Sequence, residues 1–84
     1  METVAVKLVD YEYRKINISQ GGVFVNRSPV TAYMLERAEQ PSVNEEGDPM
    51  VPYKRYSYQL GEGFSIWARS VTGSFNVGVT PNDN

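Results

Sequence analysis

Apolar and polar residues alternate along most of this sequence, and that alternation is the strongest constraint on its fold. A period of two places successive side chains on opposite faces of a β-strand, and Val, Ile, Thr, Tyr, Phe and Trp fill many of these positions. In the last third of the chain, Phe64, Ile66 and Ala68 would share one face of a strand. The opposite face would carry Trp67 and Arg69. The sequence therefore predicts an all-β protein.

Short glycine-containing segments separate two pairs of these predicted strands. Residues 16–19 and 23–26 alternate on either side of a Gln-Gly-Gly segment. Residues 64–70 and 74–80 flank the segment Val-Thr-Gly-Ser. Because glycine and short polar residues are typical of tight turns, we predict a β-hairpin in each case.

The segment from residue 28 to residue 40 allows two interpretations. Ser28 could cap a helix that begins at Pro29, and residues 32–39 are good helix formers. Residues 30–35 also alternate, and a thin β-fold is completed more readily by another strand than by a single helix. We therefore favour a strand.

The other segments complete a single β domain that covers residues 1–84. Residues 40–52 concentrate Pro, Glu, Asn, Gly and Asp, which predicts a long exposed loop. Residues 53–60 alternate again. Within residues 1–12 we expect a strand or an extended arm, with one side formed by Val4, Val6 and Leu8. These elements predict a small antiparallel β-sandwich or a jelly-roll-like barrel.

The composition predicts that this domain associates with other molecules. A chain of 84 residues forms a thin core, and small domains usually add disulfides, a metal or a partner. The sequence has no Cys and no His, which removes disulfides and the commonest zinc ligands. We therefore expect a homo-oligomer or docking onto a larger scaffold.

Charge and hydropathy argue against two other classes of partner. Lys and Arg number 8 and Asp and Glu 10, so the net charge of −2 provides no large positive field for nucleic acid or an anionic membrane. No apolar run approaches the roughly 20 residues of a transmembrane helix. No basic segment leads into an apolar stretch at the N-terminus, as it would in a secretory signal. We expect no nucleic-acid partner and no membrane association.

The missing His and Cys also remove the usual catalytic triads, which need an imidazole base or a thiolate. Asn44, Glu45, Glu46 and Asp48 offer oxygen ligands, but their spacing differs from that of a calcium-binding EF-hand loop. We interpret them as a solvated acidic loop. We therefore predict no catalytic residue, no metal site, no cofactor and no enzymatic activity.

Two aromatic features suggest contact surfaces. Residues 53–58 interleave tyrosines with basic residues, which is typical of grooves that bind single-stranded nucleic acid. Alternation also places Tyr56 and Tyr58 on one side of an ordinary strand. The negative net charge favours the ordinary strand. Trp67 beside Arg69 suits a subunit interface, while the alternatives are that Trp67 lies in the core or under a loop. The candidate contact residues are Trp67, Arg69, Val4, Val6, Leu8, Tyr53 and Tyr56.

The last two strands carry a family resemblance. Residues 63–70, Gly-Phe-Ser-Ile-Trp-Ala-Arg-Ser, precede residues 73–81, Gly-Ser-Phe-Asn-Val-Gly-Val-Thr-Pro. This pattern resembles the C-terminal hairpin of small virion proteins of tailed bacteriophages, and the likeness extends over roughly residues 16–81. The resemblance implies a β-sandwich or jelly-roll-like fold and no catalytic motif.

The same resemblance implies a place on the phage particle, such as capsid decoration or attachment at the neck or tail. The expected partners are further copies of the chain, with a trimer as the favoured form for a decoration protein, and a capsid, neck or tail protein. The expected location is the virion, after synthesis in the bacterial cytoplasm. The alternative is a receptor-binding or glycan-binding module of the phage, in which Trp67 and the tyrosines stack on sugars.

Overall fold

The computed structural model describes residues 3–81, and these residues form eight β-strands and no helix. None of them therefore belongs to a helix that could span a membrane. Every strand pairing is antiparallel. The strands are β1 (Val4–Leu8), β2 (Arg14–Lys15), β3 (Gly21–Asn26), β4 (Ala32–Arg37), β5 (Asp48–Met50), β6 (Arg55–Gln59), β7 (Ser65–Ser70) and β8 (Phe75–Pro81). The predicted all-β class is confirmed.

The eight strands form two four-stranded sheets that pack face to face. Sheet A has the strand order β1-β8-β3-β6, and sheet B has the order β2-β7-β4-β5. Both sheets contribute fully buried side chains to one core, for example Phe24 and Val77 from sheet A and Met50 and Ala68 from sheet B. The predicted antiparallel β-sandwich is confirmed.

The strand pairs are nested along the chain. Strand β1 pairs with β8, β2 with β7, β3 with β6, and β4 with β5. The chain therefore follows the path of a long antiparallel ribbon whose closed end lies between β4 and β5. The ribbon is rolled so that β3 also pairs with β8 and β4 with β7, which is the strand order of a jelly roll.

Both predicted hairpins are wrong, although alternation identified the strands at the C-terminus and β3. Strands β7 and β8 lie in different sheets, so residues 71–74 cross from one sheet to the other. The other predicted hairpin is wrong for the same reason. Ile16 donates a backbone hydrogen bond of 2.9 Å to the carbonyl oxygen of Ile66 of β7, in sheet B, whereas β3 lies in sheet A. A four-residue connection reaches about 13 Å, enough to cross the roughly 10 Å between packed sheets.

Strand β4 confirms the strand interpretation of residues 28–40. The long exposed loop predicted for residues 40–52 is only partly correct, because β5 lies within it and Met50 is fully buried. Pro49 is tolerated there because β5 is an edge strand, where a missing N–H need not break the sheet.

The N-terminal segment is a strand and not an arm. Residues 4–8 pair in unbroken register with residues 75–79 of β8, which makes β1 an edge strand of sheet A. Residues 1 and 2 of the predicted arm lie outside the described residues. Alternation is regular in β1, so its odd-numbered and even-numbered side chains face opposite sides of the sheet.

Candidate interaction surfaces

Trp67 lies on the outer face of sheet B, as its alternation with Ile66 predicts. Ile66 and Ala68 are buried on the inner face, whereas Trp67 between them is only partly buried. Its indole Nε1 donates a hydrogen bond of 3.1 Å to the carbonyl oxygen of Arg37. This bond fixes the orientation of the ring, and the alternative that Trp67 belongs to the core is wrong.

Arg69 lies on the same face, but contacts within the chain hold its side chain. The guanidinium carbon is 5.4 Å from the ring centroid of Tyr13 and 5.2 Å from that of Tyr33, within the range of cation–π attraction. Its Nη1 also donates to the carbonyl oxygens of Asp10, at 3.4 Å, and Ser70, at 3.2 Å. Arg69 therefore links the β1–β2 connection to sheet B, and its contact with a partner stays a prediction.

The three candidate residues of β1 all face sheet B, and they differ in exposure. Leu8 is fully buried and Val6 packs against the core, whereas Val4 exposes 41% of its surface. The prediction that Leu8 contacts a partner needs correction, because its side chain has no accessible surface in the folded chain. Of the three, Val4 offers the largest exposed fraction.

Tyr56 packs at the edge of the core, and contacts within the chain hold its side chain. Its ring stacks on Phe24 with a centroid separation of 5.3 Å. Its hydroxyl accepts a hydrogen bond of 2.8 Å from the amide of Val51, and the ammonium group of Lys54 lies 5.3 Å from the ring centroid. Tyr58 faces the same side of β6, as the alternation predicts.

Tyr53 combines high exposure with an unusual backbone. It exposes 67% of its surface, the largest fraction among the exposed large hydrophobic residues of the described chain. Its φ of 61° lies in the left-handed region, which costs a residue with a Cβ roughly 1–2 kcal/mol. Such outliers persist where the surrounding structure holds them, and they often mark functional positions.

Tyr53 belongs to one end of the sandwich, which we call the loop end. The register places the C-terminal ends of β1, β3, β5 and β7 together there. The loop end consists of the four connections that follow these strands, residues 9–13, 27–31, 51–54 and 71–74. Four large apolar side chains are exposed on these connections: Tyr11 (65%), Val51 (44%), Tyr53 (67%) and Val71 (45%).

The side chain of Asn26 fixes two of these connections. Asn26 is fully buried, and its Nδ2 donates hydrogen bonds to the carbonyl oxygens of Val30, at 2.8 Å, and Met50, at 3.0 Å. Its Oδ1 accepts a hydrogen bond of 3.0 Å from the amide of Ser28. One amide group therefore joins residues 27–31 to the end of β5, where residues 51–54 begin.

A second hydrogen bond joins the other two connections, and a local one supports residues 71–74. The carboxylate of Asp10 accepts a hydrogen bond of 3.0 Å from the amide of Gly73. The hydroxyl of Ser70 donates a hydrogen bond of 2.8 Å to the carbonyl oxygen of Thr72. The connections that carry the exposed apolar side chains of the loop end are thus hydrogen-bonded in two pairs, residues 27–31 with 51–54 and residues 9–13 with 71–74.

A cleft of about 360 Å³ opens at the side of the sandwich where the edge strands β5 and β6 face each other. Phe24, Tyr56 and Tyr58 line its interior, and the carboxyl-bearing residues Glu36 and Asp48 also border it. Within residues 3–81, no three acidic side chains are placed so that they could share a metal ion. We call this side of the sandwich the acidic side.

Comparisons of the chain with protein-family models, with curated proteins and with solved structures find no match. The surfaces themselves therefore carry the functional inference. Among the loop-end residues, sequence patterning predicted Tyr53 and missed Val51, Val71, Asn26 and Tyr11. Asn26 ends an alternating strand in a position typical of a turn residue, and Tyr11 lies among polar residues, so neither position has a distinctive sequence signal.

Proposed function

We propose that this protein is a non-catalytic structural protein of a bacteriophage virion, a capsid decoration protein whose oligomer stabilises the shell. The observation that carries the proposal is the loop end, where Tyr11, Val51, Tyr53 and Val71 are all exposed at one end of the sandwich, on hydrogen-bonded connections. Scattered apolar residues are normal on a protein surface, but groups of them mark interaction sites.

The backbone of Tyr53 supports this proposal. Glycine or asparagine would adopt a φ of 61° more easily than tyrosine. An exposed tyrosine contributes little to a core, and tyrosine is enriched in protein interfaces. A docking role explains why a large aromatic side chain occupies this position.

The fold and the resemblance add support. Jelly rolls recur in viral capsid and lectin domains. Residues 63–70 and 73–81, which resemble virion proteins of tailed phages, form β7 and β8 in adjacent layers of the sandwich. Because one fold hosts many functions, these features strengthen the inference from the loop end and do not replace it.

The proposed mechanism is mechanical. A rigid loop end loses little conformational freedom on docking, so more of the contact energy appears as affinity. Several copies held in one oligomer would bind the shell together, which multiplies contacts that are weak individually. The shell would gain stability because the bound oligomer bridges neighbouring capsid subunits.

The test uses undecorated heads of the phage that encodes the chain, incubated with purified protein and sedimented. We expect wild-type protein to sediment with the heads. The variant Tyr11→Ser/Tyr53→Ser should bind at least tenfold more weakly, because it removes the two most exposed aromatic rings of the loop end. The matched control is Phe64→Ser, which removes a 43% exposed ring at the opposite end and should bind normally.

Two results would refute the proposal. One is wild-type protein that ignores the heads at every concentration reached. The other is a folded Tyr11→Ser/Tyr53→Ser variant that binds as tightly as the wild type. Circular dichroism and urea unfolding establish that each variant is folded before its binding is compared.

The second candidate function is a receptor-binding or glycan-binding module. It is favoured by Trp67, whose ring is fixed on an outer face by the hydrogen bond to Arg37 and could stack on a sugar. A glycan array distinguishes the two candidates. Specific glycan binding that Trp67→Ala abolishes, without binding to heads, would favour this second function.

A further inference from the structure

The outer face of sheet A is basic. Its four strands contain no Asp and no Glu, whereas Lys7 of β1 and Arg55 of β6 are both exposed. Lys7 alternates with the inward-facing Val6 and Leu8, and Arg55 precedes the inward-facing Tyr56, so both cations belong to the outer face. The two residues lie on the opposite edge strands of the sheet, and these strands are three strand spacings or about 14 Å apart.

A third cation lies between them. A Cβ built on Gly78 would come within 2.8 Å of Nε and 2.9 Å of Cζ of Arg27, so the guanidinium group rests directly on the glycine backbone. Gly78 is in register with Ala5 and Val25, and Val25 is in register with Arg55. The side chains around Gly78 are thus small or aliphatic, which allows the guanidinium group of Arg27 to pack against the sheet. We call this surface the basic face.

These three cations are not neutralised within the described chain. The ion pairs within residues 3–81 are Arg14–Glu12 and Arg37–Glu45, and neither includes a residue of the basic face. The charges of the face are therefore available to a partner of opposite charge.

The acidic side offers that opposite charge. Glu36 and Asp48 occupy inward positions of β4 and β5, in register with Ile66 and Met34, and both are exposed at the cleft. Their carboxylates form no hydrogen bond and no ion pair within the described residues.

We propose that the basic face of one copy docks against the acidic side of a second copy, with Lys7 and Arg55 facing Glu36 and Asp48. This inference rests on the proposed function, since it names the contact that would build the decoration oligomer. The occupant is a second copy because each copy carries both unneutralised surfaces, and because the thin core of the chain favours association.

The positions of the two surfaces suit a closed ring. Contact between two different surfaces is heterologous, and it closes into a ring when successive copies turn. The basic face and the acidic side are adjacent sides of the sandwich and not opposite ones, so each contact introduces a turn. We propose the arrangement in which the strands of successive copies run in the same direction, since it makes the ring axis parallel to the strands and turns all loop ends the same way, as docking onto a shell requires.

The contact should depend strongly on salt, because exposed charge pairs are screened over a Debye length of about 10 Å at 0.1 M salt. Analytical ultracentrifugation of the wild-type chain should show a concentration-dependent oligomer at low salt. We expect the association constant to fall at least tenfold when the salt is raised to about 0.5 M.

Charge reversal tests the contact directly. The variants Lys7→Glu/Arg55→Glu and Glu36→Lys/Asp48→Lys should each be folded monomers. The chain with all four substitutions should associate again, because each of the four facing positions has exchanged sign. An equimolar mixture of the two double variants should also associate, since each presents the charge that the other needs.

Single reversals elsewhere serve as matched controls. Lys15 lies on the outer face of sheet B, and Glu62 lies in the β6–β7 connection. The variants Lys15→Glu and Glu62→Lys should therefore associate like the wild type. The proposal is overturned if the wild type is monomeric at low salt, if either folded double variant associates normally, or if the folded fourfold variant does not associate. Binding of a polyanion such as heparin by a monomeric wild type through Lys7 and Arg55 would also overturn it.

The outcomes separate this inference from the proposed function. If the double variants associate normally while wild-type protein decorates heads, the charge contact is wrong and the decoration function stands. If charge reversal controls association as expected but no head is bound, the contact stands and the decoration function fails.

Discussion

The backbone amide of Tyr53 donates a hydrogen bond of 2.6 Å to the carbonyl oxygen of Asn26. Tyr53 is the most exposed large aromatic residue described, and Asn26 is completely buried. The residue that organises the loop end therefore lies beneath it, at the end of β3. A change at Asn26 should affect the whole chain, whereas a change at Tyr53 should affect the surface.

Asn26→Asp should strongly destabilise the fold. The carboxylate would face the carbonyl oxygens of Val30 and Met50 in place of the two N–H donors that now bind them. Because the site is buried, we expect the free energy of unfolding in urea to fall by about 3 kcal/mol or more. Asn76→Asp, on an exposed position of β8, is the control and should change it by less than about 0.5 kcal/mol. An Asn26→Asp variant as stable as the control would contradict this account of the loop end.

Two glycines should respond differently to alanine. A Cβ at Gly22 would collide with the backbone carbonyl oxygen of Thr80, so β3 and β8 would have to separate. A Cβ at Gly63 would meet no atom within 4 Å, and the strain of its φ of 85° is the main penalty. We expect Gly63→Ala to lower the free energy of unfolding by roughly 1–2 kcal/mol and Gly22→Ala to lower it by more. Equal losses in urea titrations would contradict the close approach at Gly22.

Tyr53→Gly should separate stability from docking. Glycine adopts the left-handed backbone without steric strain, so we expect the free energy of unfolding to stay equal or rise by about 1 kcal/mol. Under the proposed function, binding to phage heads should weaken because the ring is lost. Tyr11→Gly is the matched control, since Tyr11 is nearly as exposed but has no positive φ, and it should lower stability slightly. A Tyr53→Gly variant that is clearly less stable than wild type would show that the ring supports the fold.

The two inward-facing tyrosines of β6 should differ on removal of their hydroxyl groups. The Tyr56 hydroxyl accepts a hydrogen bond from Val51, so Tyr56→Phe should cost about 1 kcal/mol of stability. The Tyr58 hydroxyl is buried and makes no hydrogen bond within residues 3–81, so Tyr58→Phe should be neutral or stabilising. Thermal unfolding of the two variants beside the wild type measures both effects. The reverse order of stability would contradict the hydrogen-bond assignment.

Alternation predicted which side chains face the core because the pleat of a strand fixes this locally. Ile66 and Trp67 face opposite sides for that reason, and Tyr56 and Tyr58 share a side. Alternation does not determine which strands pair. Residues 71–74 could close a hairpin or cross between sheets, and the choice depends on distant strands that compete for the same edges.

The interaction surfaces were predicted less completely than the strands. The outward position of Trp67 followed from the alternation in its strand. The burial of Leu8, by contrast, depends on the packing of sheet B over the inner face of sheet A. The roles of Asn26 and of the Arg27–Gly78 contact require chain segments that meet only after folding. Such contacts leave no mark on local spacing, which explains why the sequence did not predict them.

The nested pairing also determines when the molecule can fold. Residues 4–8 pair only with residues 75–79, so β1 cannot join sheet A before β8 is available. Closing such long loops before any contact forms makes folding slow, as in other proteins dominated by non-local pairing. On the ribosome, β1 and β3 would stay without their common partner until β8 has emerged, so sheet A could not be completed before that point.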